Sequence, residues 1–194
     1  DPTSVVFIVG NYNSGTTLLR EILGEHQDIC TLPFEGVKLT NQLTYPEQLG
    51  WQRNWVYCED HLNADEVWTS DQTNQLFNDW SPFYNKQKIL LEKSIAHTAR
   101  INTLLNSFSN IKIIGIYRNA YASIYGMKKK AKPFGAALQN YGNIEYSIED
   151  LSRQWVKANT ALLEHEHDKR FKLVRYENFA ESFSTVIPEV LKFL

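Results

Sequence analysis

The sequence predicts an α/β fold: a three-layer sandwich with a central, mostly parallel sheet and an anion-binding loop after the first strand. Two observations carry this reading. Short, continuous apolar runs of strand length alternate with stretches of helical period. The first such run ends at Gly10, and a turn-forming segment closed by Gly15 then opens a helix.

The elements follow in order. Val5–Gly10 is continuous, β-branched and apolar, as a buried strand requires. Helix then runs from Thr16 to about Glu25, with Leu18, Leu19, Ile22 and Leu23 on one face, and a weak strand follows at Ile29–Leu32. Residues 41–85 show no clean period and hold Trp51, Trp55, Trp68 and Trp80; they read as an irregular or helical insertion, either a lid or a small second core. Lys88–Lys93 is a short strand, His97–Phe108 a helix, Ile111–Tyr117 a strand and Ala120–Lys130 a helix. Phe134–Tyr146 reads as loop. Ser147 caps a long helix to His165, Phe171–Tyr176 is the last strand, and a final helix over Ser182–Leu194 is expected to bend or break at Pro188.

Composition bounds the function. With 194 residues, 43% hydrophobic and 13% aromatic, the chain can bury a core, and residues 1–194 read as a single domain carrying the aromatic-rich insertion. No apolar run approaches a membrane span. The net charge of −2 conceals an acidic N-terminal half and a basic C-terminal half, which argues against a nucleic-acid partner and permits a basic site for a small anion. Cys30 and Cys58 are too few for a disulfide framework; two reduced thiols or one bridge remain. Asp1-Pro2 leads directly into the first strand and none of the 16 Asn begins an Asn-x-Ser/Thr acceptor, which favours a cytoplasmic setting over a Golgi-lumenal one with a removed anchor. No metal site is expected: His165 and His167 are two apart and point away from each other on a helix.

The segment Gly10-Asn11-Tyr12-Asn13-Ser14-Gly15-Thr16-Thr17 is P-loop-like. Backbone N–H groups and a helix N-terminus would cradle an oxyanion, and Ser14, Thr16 and Thr17 add hydroxyl donors. A triphosphatase would carry Lys after the second glycine, where Thr16 stands, so a magnesium-dependent kinase or nucleotide-binding enzyme is the weaker alternative.

Asn13-Ser14-Gly15-Thr16-Thr17-Leu18-Leu19 resembles the phosphosulfate loop of sulfotransferases that use 3′-phosphoadenylyl sulfate (PAPS), Arg/Lys-Ser-Gly-Thr-Thr-Leu-Leu. Ile113–Tyr117 with Arg118-Asn119 resembles that family's 3′-phosphate site. Glu92-Lys93-Ser94 with Arg100, Trp155 with Asn159, and Arg175-Tyr176-Glu177-Asn178 resemble further blocks in the same order. The likeness is to the carbohydrate and tyrosylprotein type more than to the cytosolic small-molecule type.

The resemblance implies transfer of a sulfuryl group from PAPS, without a metal, to an acceptor hydroxyl or amine. Carbohydrate is the favoured acceptor if the insertion's tryptophans stack on sugar rings. Asn13, Ser14, Gly15, Thr16, Thr17, Arg118, Ser123, Lys130 and Tyr176 would bind the donor or its product PAP. Glu35 is the first candidate base, His97 the second, with Lys93 beside them. Two departures stand out. Asn13 replaces the loop cation, and the family serine eight residues after the arginine falls on Gly126, leaving Ser123 as a substitute one turn earlier. Either Lys38 or Lys93 replaces the cation, or the domain is a weak or non-catalytic binding descendant.

Overall fold

The computed structural model describes residues 2–62 and 66–194; residues 63–65 of the expected 41–85 insertion lie outside them. Five strands, β1 (Ser4–Gly10), β2 (Ile29–Thr31), β3 (Ile89–Lys93), β4 (Ile111–Tyr117) and β5 (Phe171–Arg175), form one sheet in the order β2-β3-β1-β4-β5, every pair parallel. The alternation of side chains along β1 builds two cores. Val5, Phe7 and Val9 face a cluster with Trp68, Leu76, Trp80, Leu104 and Leu162. Val6 and Ile8 face Leu19, Leu23, Val174, Phe179 and Val190.

Helices supply the outer layers. α1 (Thr16–Gly24), α7 (Tyr176–Glu181) and α8 (Phe183–Phe193) contribute to the second cluster; α2 (Ser70–Trp80), α3 (Ile101–Ser107) and α6 (Ile148–Leu163) contribute to the first. The remaining helices are α4 (Ala120–Lys128) and α5 (Gly135–Tyr141). In this doubly wound arrangement the chain runs from β1 out to β2 and β3, then crosses to β4, so loops diverge at the C-terminal end of β1 and leave a crevice there.

Several expectations are corrected. Phe134–Tyr146 is not loop throughout: it contains α5, ended by Gly142 in the left-handed conformation. The expected helix over His97–Phe108 begins as a 3-10 turn, Ile95–Arg100, before α3. α8 continues through Pro188 rather than breaking there. Of the four insertion tryptophans, Trp68 and Trp80 belong to the sheet's own core, and Trp55 belongs to a third cluster with Tyr12, Ile95, Met127, Tyr146 and Leu151. Cys30 and Cys58 are both buried and free. Among the described residues no helix is long and apolar enough to cross a membrane.

Ser147 caps α6 as expected, its hydroxyl accepting the Asp150 N–H at 3.0 Å. Asp150 does more than complete that box. Its carboxylate also accepts O–H donation from Tyr57 of the insertion and from Tyr141 of α5. Burial pushes this carboxyl upward, but the hydroxyls of Ser147, Tyr141 and Tyr57 outweigh it and hold the group at about 2. Three segments are therefore joined at one anion. Asp150→Ala should lower the unfolding free energy by ~2–4 kcal/mol, read by urea denaturation. Because the folded-state value is depressed, this contribution is present above the ordinary value of 3.8 and is lost as pH falls through about 2. A loss under ~0.5 kcal/mol would show that the junction does not hold these segments.

Candidate functional site

The site is built where β1 stops. Gly10 lies so close to β4 that a Cβ there would sit 2.3 Å from the Ile116 carbonyl oxygen. Its N–H donates to the Thr98 hydroxyl at 2.9 Å, and that hydroxyl donates to the Gly10 carbonyl at 2.9 Å. The loop then turns through Asn13 at φ +60° and Gly15 at φ +98°. Gly15 is required twice over, by its left-handed backbone and by the Tyr176 ring, which would meet a Cβ at 2.4 Å. α1 opens at Thr16, directing its first N–H groups, which have no helical acceptor, toward the crevice.

A cavity of about 400 Å³ lies over this loop, lined by Asn13, Gly15, Thr16, Thr17, Glu35, Lys93, Arg118, Lys130 and Tyr176. Those nine of the twelve residues singled out from sequence are thus brought together. The Arg118 guanidinium lies 4.2 Å from the centre of the Tyr176 ring and donates to the Asn13 carbonyl oxygen at 3.1 Å. Glu35 and Lys93 form an ion pair at 2.6 Å, both largely shielded from solvent.

Three residues fall elsewhere. Ser14 is buried and its hydroxyl donates to the Asn11 carbonyl at 2.5 Å, so it stiffens the loop from beneath. Ser123 is fully buried, outside the cavity lining, with no hydrogen-bond partner for its hydroxyl among the described residues. His97 is fully buried between Phe7 and Trp68, and so is placed under the sheet's central strand rather than in the cavity.

Sequence reasoning missed Tyr12, Glu47 and Arg53, which also line the cavity. Tyr12 lay in the loop but was read only as turn. Glu47 and Arg53 lie in the insertion, where no motif marks them. A larger cleft of about 750 Å³, beside α6 and lined by Glu59, Asp60, Glu66 and Glu164, has none of the glycine-loop features.

The two departures at Asn13 and Gly126 are neighbours in space. A Cβ on residue 126 would lie 3.0 Å from Asn13 Nδ2, so the side chain of Asn13 occupies the room that Gly126 leaves. That amide nitrogen is buried and has no partner among the described residues.

Beneath Glu35, the buried Glu92 accepts the Gly36 N–H at 2.6 Å and the Ser94 hydroxyl, fixing the backbone that carries Glu35. Its second oxygen lies 3.5 Å from His97 Nε2. Burial pushes Glu92 up to about 7 and His97 well below the ordinary imidazole range. Their effects on stability oppose each other. Folded Glu92 retains a proton that the unfolded chain releases between 4.5 and about 7, so its contribution falls as pH rises through that window. Folded His97 stays neutral while the unfolded imidazole protonates below 6.5, so its contribution rises with pH up to there. Glu92→Gln keeps the acceptor oxygen and removes the first effect. From about pH 5 to 6.5 its unfolding free energy should climb more steeply than the wild type's, by up to ~1.4 kcal/mol per pH unit. Parallel slopes in urea denaturation would overturn this assignment.

Comparison with known proteins agrees with this fold. The chain is similar to the sulfotransferase domain from the curacin biosynthetic pathway at 21% identity and TM-score 0.59, covering all of this chain and 74% of that one. It is similar to a sulfotransferase from Alicyclobacillus acidocaldarius at 16% identity and TM-score 0.59, covering 100% and 80%. Mouse sulfotransferase SULT7A1 complexed with PAP matches at 16% identity and TM-score 0.55, covering 100% and 59%. No curated protein sequence matches. The profile of the sulfotransferase family spans residues 5–194, taking in the glycine loop, the Glu35–Lys93 pair and Arg118, and the chain therefore belongs to the sulfotransferase family.

Proposed function

We propose that the protein transfers a sulfuryl group from PAPS to an acceptor hydroxyl or amine. The observation that carries this reading is the convergence of the glycine loop, Arg118 and the Glu35–Lys93 pair on one cavity. The residues fit a nucleotide with anionic groups at both its 5′ and 3′ ends. The opening of α1 offers backbone donors, Arg118 and Lys130 have no carboxylate partner among the described residues, and Asn13 Nδ2 is a buried donor awaiting an acceptor.

When bound, the donor supplies a labile S–O bond: it breaks toward the 5′-phosphate oxygen, which leaves with the electron pair as PAP, while the acceptor atom bonds sulfur and gives up its proton. The chain's part is to hold and to deprotonate. The loop and Thr16 hold the 5′ side. Arg118, stacked on Tyr176, holds the 3′-phosphate, and Asn13 Nδ2 reaches the space where the family places a serine hydroxyl. Glu35 takes the acceptor proton, and Lys93, bonded to it at 2.6 Å, orients the carboxylate. His97 is set aside as a base, because it is enclosed by rings and does not open to the cavity.

Three of the four insertion tryptophans give the carbohydrate preference no support. Trp55, Trp68 and Trp80 are at most 6% exposed and present no free face to a sugar, while Trp51, half-buried, has one face stacked on Tyr57 with centroids 4.6 Å apart. The acceptor class is left at hydroxyl or amine.

Calorimetric titration tests the reading. Wild type should bind PAP without magnesium, and Arg118→Ala should lose at least ~100-fold in affinity. Retention of PAP affinity within about threefold removes Arg118 from the site. Glu35→Gln should lower PAPS turnover by ~10²–10⁴-fold with PAP affinity unchanged; equal loss of both would make Glu35 a structural residue.

A further inference from the structure

The loop lacks the cation its relatives carry, yet the structure places one beside it. Arg53 Nη1 donates to Asn13 Oδ1 at 3.1 Å and lines the same cavity. Asn13 and Arg53 are two of three non-glycine residues with positive φ among the described residues, at +60° and +58°. Asparagine tolerates that conformation; arginine rarely adopts it, and a surface turn would not hold it there without surrounding structure that over-determines it.

That structure is visible. Trp51 makes a bridge to Pro133 and stacks on Tyr57, while the Phe134 N–H donates to the Gly50 carbonyl at 2.9 Å. Asn54, next in sequence, is fully buried. The turn is thus clamped against the segment after α4, and Arg53 is aimed inward.

The other cations are differently engaged. Lys93 is paired with Glu35 at 2.6 Å, and the Lys38 ammonium lies 5.7 Å from the centre of the Tyr45 ring. Arg118 bonds the Asn13 carbonyl oxygen rather than its side chain. Arg53 has no carboxylate partner among the described residues and is joined to the one loop side chain where the charge is missing.

We propose that Arg53, delivered by the insertion, is the sulfuryl-binding cation of this site, supplied from outside the loop through the Arg53–Asn13 contact. The proposal rests on the PAPS reading above. It assigns the expected Lys38 or Lys93 substitution to a residue that no motif predicts, and it keeps the chain a competent transferase rather than a disabled one. The guanidinium, planar and permanently charged, can keep its bond to Asn13 with one nitrogen and offer the others to sulfuryl oxygens.

The test uses the difference between PAPS and PAP, which is the sulfuryl group itself. Both are titrated into wild type, Arg53→Gly and the double variant Asn13→Arg/Arg53→Gly. Glycine suits the left-handed backbone, so the thermal midpoint of Arg53→Gly should match or exceed the wild type's and exclude misfolding as the cause. Arg53→Gly should lose ~10-fold or more in PAPS affinity while PAP affinity changes less than about threefold. Asn13→Arg in that background should restore most of the PAPS preference. An unchanged PAPS-to-PAP ratio in Arg53→Gly overturns the proposal and leaves the donor reading intact. Equal weakening toward both nucleotides makes Arg53 a scaffold for the loop and also overturns it. Wild type that binds neither nucleotide overturns the donor reading, and the role of Arg53 falls with it.

Discussion

The site depends on how one strand ends. At Gly10 the chain must leave the sheet without stranding a buried N–H and C=O, and a single hydroxyl, that of Thr98, satisfies both. With the strand's last residue held this way, the next five residues are free to turn. The close approach of β4 and the Tyr176 ring leaves room only for hydrogen at residues 10 and 15. An anion cradle follows from backbone geometry before any charged side chain is considered.

Charge is then brought in from the periphery. Arg118 arrives on the end of β4, Lys93 on the end of β3, and Glu35 on a segment fixed by the buried Glu92. The insertion is tied down by a second buried cation. Arg100, 1% exposed and held at about 10 by burial, donates to the carbonyl oxygens of Leu62 and Thr44. Together with the Tyr57 and Tyr141 bonds to Asp150, this makes the insertion part of the body of the fold.

What could be read in the sequence follows from what is local. The strands β1, β3, β4 and β5 are continuous apolar runs, and the loop between Gly10 and Thr16 is contiguous, so period and spacing identify both. α5 was hidden because Gly135, Gly142 and the polar Asn140 and Asn143 carry the composition of a loop. His97 reads as a candidate base from its place after Lys93-Ser94, but the 3-10 turn sets it under the sheet against Phe7. Arg53 could not be found from sequence: forty positions separate it from Asn13, and only the folding of a segment without period brings the two side chains together. The pairing of Asn13 with Gly126 is hidden for the same reason, since each looks like an isolated loss until their proximity is seen.

The clamping of the insertion bears on timing. Among the described residues, the insertion is held by Arg100 at Thr44 and Leu62 and by Asp150 at Tyr57, so those parts cannot swing away from the crevice without breaking these bonds. Under the proposed function, a nucleotide enters past the arginine and lysine side chains that line the cavity, whose rotations take picoseconds to nanoseconds, against the microseconds to milliseconds of domain closure.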